Sequence, residues 1–146
     1  MTDFKKIVFN KELCRDCQAC MLACSLLHEG ECNLNLARLS VNKDMAKYEF
    51  SLQICRHCDS PDCIEACPTD AMRMDERGIV IIQEENCMQC GDCADACPYD
   101  GIFYNESRDR YLKCDLCLDR DEGALCVQIC PVGALILSGV EVERGV

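Results

Sequence analysis

Three times in this sequence a cysteine stands four residues before a second cysteine that is itself followed by proline. The stretches are CIEACPTDAM at 63–72, CADACPYDGI at 93–102 and CVQICPVGAL at 126–135. Proline has no amide hydrogen and disfavours helix at the residue before it, so the chain must bend just past each second cysteine. Cysteine makes up 17 of 146 residues, roughly 12%, above the level that marks an unusual chain. Without its cysteines the 49% hydrophobic fraction falls to roughly 38%, and tryptophan is absent. A chain this poor in large apolar residues is expected to need staples or inorganic centres to hold its core.

The compartment selects the staple. The N-terminal MTDFKKIVFNKELC has no apolar signal core and no twin arginine. No stretch approaches the ~20 apolar residues that span a bilayer. These features predict a cytoplasmic protein, where dense cysteines are metal ligands rather than disulfides. The odd count also argues against a closed disulfide framework. A formal net charge of −11 argues against nucleic acid or anionic membrane as partner.

The cysteines fall into four groups of four. They are Cys14, Cys17, Cys20 and Cys24; Cys55, Cys58, Cys63 and Cys67; Cys87, Cys90, Cys93 and Cys97; and Cys114, Cys117, Cys126 and Cys130. The first and third share the spacing C-x2-C-x2-C-x3-C. The second widens the middle gap to four residues and the fourth widens it to eight. Cys32 is left over. Three cysteines at successive x2 gaps let a short loop curl round an iron–sulfide cube, with Gly91 supplying backbone freedom in one such loop. In runs of this kind the fourth cysteine ligates the other cluster of a pair. The reading is four [4Fe–4S] clusters. Zinc knuckles are the competing chemistry, and a zinc-stapled interaction module the competing function class. Radical chemistry on S-adenosylmethionine needs an open iron, whereas each group here carries a fourth ligand.

No carboxylate pair, nucleophile–base couple, phosphate loop or dinucleotide fingerprint stands out. The expectation is a non-catalytic chain that moves single electrons and sets potentials by hydrogen bonds, burial and charge. An oxidised cluster with its four thiolates carries about −2. Four clusters add about −8 to −11 and bring the total to about −19. That field predicts basic docking surfaces on partners and salt-sensitive association.

From Cys14 to Cys130 the chain resembles the four-cluster ferredoxin-type iron–sulfur subunits of multisubunit oxidoreductases. CRHCDSPDCIEACP, CMQCGDCADACP and the widened fourth group carry the resemblance. The first group, CRDCQACMLACSLLHEG, and the short length are most similar to the small subunit of tungsten-containing aldehyde oxidoreductase-type enzymes. Ser25 departs from the pattern, standing where a Cys-Pro group would have proline. The resemblance implies an α+β fold of two intertwined two-cluster ferredoxin-like units within a single 1–146 domain. The inner unit covers about 51–109, and the outer covers about 1–50 plus 110–146. It also implies nested ligation. Cys14, Cys17, Cys20 and Cys130 would hold one cluster, and Cys55, Cys58, Cys63 and Cys97 a second. Cys87, Cys90, Cys93 and Cys67 would hold a third, and Cys114, Cys117, Cys126 and Cys24 a fourth. Spacing alone leaves open a tandem pairing of groups one with two and three with four. The implied function is an electron relay between a catalytic tungstopterin or molybdopterin subunit and a flavin subunit or ferredoxin, in a hetero-oligomer. Service to a hydrogenase or formate dehydrogenase, and a free-standing polyferredoxin, are the alternatives.

The connectors read as hairpins. AMRMDERGIVIIQ turns at Gly78, IFYNESRDRYLK turns at 106–109, and RLSVNKDMAKYEFSLQI is a third. IVFN and ALILSGVEVE are candidate outer strands, and residues 18–29 the longest helix. His57 is expected to hydrogen-bond near a cluster and His28 to be a plain surface or interface residue. Cys32 reads as structural. Tyr99 and Tyr104 are candidate shields, Met72 and Met74 filler. The acid-rich DLCLDRDEG is expected to be mainly solvated, and the tail GVEVERGV to dock or fray.

Overall fold

The computed structural model describes residues 6–138. The tail GVEVERGV and the last part of the final candidate strand lie outside them. The protein is α+β: the described residues form four separate two-stranded antiparallel sheets and four α-helices, all short but one.

The one longer helix, α1, runs Ala19–Glu29. It ends at Gly30, whose φ of 78° lets its N–H reach the Leu26 carbonyl, the usual left-handed helix stop. The other three helices have five residues each: α2 Asp62–Ala66, α3 Asp92–Ala96 and α4 Leu125–Ile129. Each stops at the cysteine before proline. Cys67, Cys97 and Cys130 all sit in extended backbone, as the residue before proline must. Group one has no proline, so α1 runs on through Cys24.

The strands form four hairpin-like pairs. In chain order they are β1 Ile7–Phe9, β2 Leu39–Asp44, β3 Glu49–Ile54, β4 Met72–Met74, β5 Val80–Ile82, β6 Ile102–Asn105, β7 Arg110–Lys113 and β8 Leu135–Leu137. The pairs β2–β3, β4–β5 and β6–β7 are the three hairpins expected from the sequence, with Gly78 at φ 82° in the second turn. The fourth pair joins the two ends of the described residues, with Ile7 opposite Leu137 and Phe9 opposite Leu135.

The helices pair the same way. α1 packs against α4, and α2 packs against α3. Groups one and four thus lie together, as do two and three. The larger apolar core contains Leu39, Ile54 and Leu135 together with Cys24, Cys55, Cys114 and Cys126. A smaller core contains Met72, Val80 and Ile102, flanked by Cys63, Cys67, Cys93 and Cys97. In both, the sulfurs belong to the interior.

A charged network links the outer parts. The Glu29 side chain, 2% exposed, pairs with Arg110 of β7. Arg38 bonds Asp115 at 3.2 Å. Removing one partner of a buried pair strands the other charge. Arg110, a quarter exposed, keeps its second partner Glu84, so Glu29→Ala is expected to lower stability by only about 1–2 kcal/mol. The check is a lower denaturant midpoint for loss of the chromophore, with iron content unchanged in buffer.

Candidate metal centres

Each group places its sulfurs by the same local devices. The third cysteine is the second residue of a helix: Cys20 in α1, Cys63 in α2, Cys93 in α3 and Cys126 in α4. The loop before it makes left-handed steps, at Asp16 and Gln18, at His57, at Gln89 and Gly91, and at Leu116 and Cys117. Those steps curl the chain so that amides face sulfur. The His57 N–H donates to Cys55 Sγ at 3.4 Å and the Leu116 N–H to Cys114 Sγ at 3.4 Å.

The Cys-Pro repeat does more than bend the chain. In each copy the residue three after the cysteine takes positive φ: Asp70, Asp100 and Gly133. The next amide then points back at the sulfur. The Ala71 N–H reaches Cys67 Sγ at 3.3 Å, the Gly101 N–H reaches Cys97 Sγ at 3.5 Å, and the Ala134 N–H reaches Cys130 Sγ at 3.3 Å. In group one, Ser25 replaces the proline and the donor comes from another segment. The Arg38 N–H reaches Cys24 Sγ at 3.3 Å. Ser25 itself is fully buried and satisfied, donating to the Leu22 carbonyl and accepting from the Asn33 N–H. It ties α1 to the segment that delivers Arg38.

The structure lines three cavities with four cysteines each and leaves four more cysteines near one another. Cys14, Cys17, Cys20 and Cys130 line one cavity with Phe9 and Leu135. Cys24, Cys114, Cys117 and Cys126 line a second with Ile7 and Leu39. Cys67, Cys87, Cys90 and Cys93 line a third with Tyr111. The fourth gathers Cys55, which lies against the Gly101 turn that follows Cys97, with Cys58 of the same loop and Cys63, which flanks the smaller core together with Cys97. Neighbouring quartets also share packing. α1 on α4 joins the Cys14 quartet to that of Cys114, Cys114 and Cys55 belong to one core, and Cys63 and Cys97 flank the other core with Cys67 and Cys93. The quartets therefore run in a row: the Cys14 quartet, then those of Cys114, Cys55 and Cys87. The second is buried throughout, whereas the two ends each expose one cysteine, Cys17 and Cys90.

Burial dominates the free-thiol chemistry. It pushes Cys114 up to about 12, and Cys20, Cys24 and Cys63 up to about 11. At Cys67 and Cys130 burial also pushes upward, but the turn amides outweigh it and hold both thiols below the ordinary cysteine value. Binding of iron to the buried thiols must displace protons. Four sulfurs per site, with backbone N–H groups turned toward them, are a donor set that fits a [4Fe–4S] cube.

Several residues escaped the sequence reading. Tyr111, rather than Tyr99 or Tyr104, lies against the Cys87 quartet. Tyr99 instead stacks with Arg56 at 4.0 Å, and Tyr104 is half exposed, bonding Asp109 at 2.7 Å. His28 is not a plain surface residue. It is part-buried, with Nε2 3.6 Å from Cys117 Sγ. α1 is longer than its five-residue counterparts, which carries His28 to the fourth group. Asp115 of DLCLDRDEG is likewise not solvated but bonded to Arg38, while Asp119, Asp121 and Glu122 are less enclosed. His57 is buried, its Nδ1 accepting the Val80 N–H at 3.0 Å. Gly101 carries no sequence signal. A Cβ there would lie 2.7 Å from the Cys55 amide nitrogen.

Comparison with known proteins agrees with this geometry. Residues 46–140 match the model of the 4Fe-4S dicluster domain, and residues 11–33 match a 4Fe-4S binding domain. The protein belongs to the 4Fe-4S dicluster family. Its grouped cysteines fit four [4Fe–4S] clusters, and the relatives it matches are subunits of oxidoreductases. It is 33% identical over 139 residues to a subunit of the tetrathionate reductase of Salmonella typhimurium, the match covering 88% of this sequence and 55% of that one. It is 31% identical over 153 residues to a subunit of the anaerobic dimethyl sulfoxide reductase of Haemophilus influenzae, covering 93% and 74%. The match thus spans between about half and three-quarters of these relatives. Among solved structures the fold resembles one polypeptide of the active site complex BamBC of benzoyl coenzyme A reductase in complex with zinc, with a TM-score of 0.54, 27% identity and coverage of 97% and 82%. No helix among the described residues is long and apolar enough to cross a membrane.

Proposed function

We propose that each quartet holds one [4Fe–4S] cluster, and that the protein is a non-catalytic wire passing single electrons through all four. The observation that carries this reading is the row itself. Its quartets adjoin one after another through shared packing, and only the two terminal ones reach the surface through an exposed cysteine, at Cys17 and Cys90. A row with two exposed ends suits relay between two partners better than a shuttle that takes and gives at one contact. Two nested ferredoxin-like units, about 51–109 and about 1–50 plus 110–146, account for the helix pairs.

One partner is a large catalytic subunit. Both relatives are named as subunits of reductases, and the structural neighbour sits in an active-site complex; these support a subunit role. The finer reading makes that partner a tungstopterin aldehyde oxidoreductase-type subunit, on the strength of CRDCQACMLACSLLHEG. The second partner is a flavin subunit or a ferredoxin, and the setting is the cytoplasm. Anaerobic purification from the host tests all of this. It should give a brown complex with about sixteen irons and sixteen acid-labile sulfides per chain, a co-purifying large subunit, and tungsten in that subunit. Molybdenum in place of tungsten would overturn the finer reading alone. A colourless zinc-loaded protein would overturn the wire.

A further inference from the structure

One cation is sealed into the middle of the row. Lys113 is 4% exposed. Its Nζ donates to the Val80 carbonyl and, at 2.8 Å, to the Cys114 carbonyl. A buried ammonium is costly unless an opposite charge faces it. Among the described residues no carboxylate forms an ion pair with it. Carbonyl oxygens satisfy its donors but do not balance its charge.

Its position supplies the missing counter-charge. Lys113 precedes Cys114, the first cysteine of one interior quartet. Val80, whose carbonyl accepts from Lys113, donates its own N–H to His57, in the Cys55–Cys58 loop of the other interior quartet. A hydrogen-bonded bridge, His57 to Val80 to Lys113, thus spans the junction of the two inner sites. The Lys113 charge reaches Cys63 on one side and Cys114 on the other. His57 offers no second cation, since its Nδ1 accepts the Val80 N–H and so carries no proton. Lys6, part-buried, reaches Cys58 from the edge.

We infer that Lys113 is a fixed internal counter-ion shared by the two interior clusters, and that it raises their reduction potentials above the value the protein's negative field would otherwise impose. The inference rests on the quartet reading. A positive charge between two anionic centres favours the electron-rich state of both, and low local dielectric strengthens the effect. Lys113 is a tuning residue and touches no partner or substrate. Its effect is to keep an electron in the middle of the row from facing a barrier made by about −19 of surrounding charge.

The test is a redox titration followed by EPR on the complete protein carrying Lys113→Met, with Lys113→Arg as the charge-conserving control. Met matches the stem and tolerates burial. In Lys113→Met, two of the four clusters should become at least about tenfold harder to reduce, about 59 mV for one electron. The other two should change less than about threefold. Lys113→Arg should stay close to the parent. Four unchanged potentials, or four equal shifts, would overturn the inference. Should Lys113→Met fail to load iron, Lys113→Gln serves as the neutral variant that can still donate. Iron below about sixteen per chain in the unmodified protein would indict the quartet reading, whereas full iron with unmoved potentials indicts Lys113 alone.

Discussion

Gly101→Ala is expected to remove one cluster and leave three, dropping iron from about sixteen to about twelve per chain. The cause is a backbone contact rather than a side-chain one. A Cβ on Gly101 would lie 2.7 Å from the Cys55 amide nitrogen, 2.8 Å from its Cα and 2.8 Å from the Ile54 carbonyl carbon. None of these atoms can swing aside as a flexible side chain would. The two segments must part. One of them carries Cys97, four residues upstream, whose sulfur accepts the Gly101 N–H at 3.5 Å. The other carries Cys55. Parting them pulls Cys97 away from Cys55, Cys58 and Cys63. The Cys87 quartet has Cys67, not Cys97, as the fourth sulfur in its cavity and should keep its cluster. Gly30→Ala is the control. Its φ of 78° imposes strain, but nothing lies within 4 Å of the added carbon. That variant should cost about 1 kcal/mol and keep all its iron. Iron and sulfide analysis with spin counting decides. Full iron and a native spectrum in Gly101→Ala would refute the account.

Removing iron and sulfide altogether is expected to unfold most of the protein. Three of the helices have five residues, well under the ~12 that an isolated helix needs. All four sheets are two-stranded, and isolated hairpins are marginal in water. The apolar clusters are built partly from the cysteines themselves. Without the inorganic centres, little remains to offset chain entropy. Chelation under reducing conditions should erase more than about half of the far-UV circular dichroism, and anaerobic reconstitution should restore it. A metal-free protein that keeps its dichroism and unfolds cooperatively would show that the polypeptide core suffices alone.

Legibility followed range. The hairpins at Gly78 and at 106–109 were readable because turn residues and β-branched runs act over a few positions. So was α1, which begins one residue later than expected and ends on Glu29 as read. The three helix stops were readable because proline acts on its own neighbour. His28 was misread because its environment is set by Cys117, 89 residues away. Asp115 was misread for a similar reason, since its partner Arg38 comes from another segment. Tyr111 was passed over because β7 does not declare which face meets the Cys87 loop. Gly101 and Lys113 were invisible, one defined by a distant backbone and the other by carbonyls on two different segments.

The sequence by itself determined the chemistry: sixteen thiols in four groups that share their first and last gaps, each bent to offer sulfur to iron, in a chain too poor in large apolar residues to do without it. Only the tertiary structure decided which sulfurs meet, which sites adjoin, and where the sealed Lys113 sits. Ligand spacing is a property of a few covalent bonds and can be written locally. Adjacency arises when α1 settles on α4, α2 on α3 and β1 on β8, and those contacts join residues that the sequence keeps far apart.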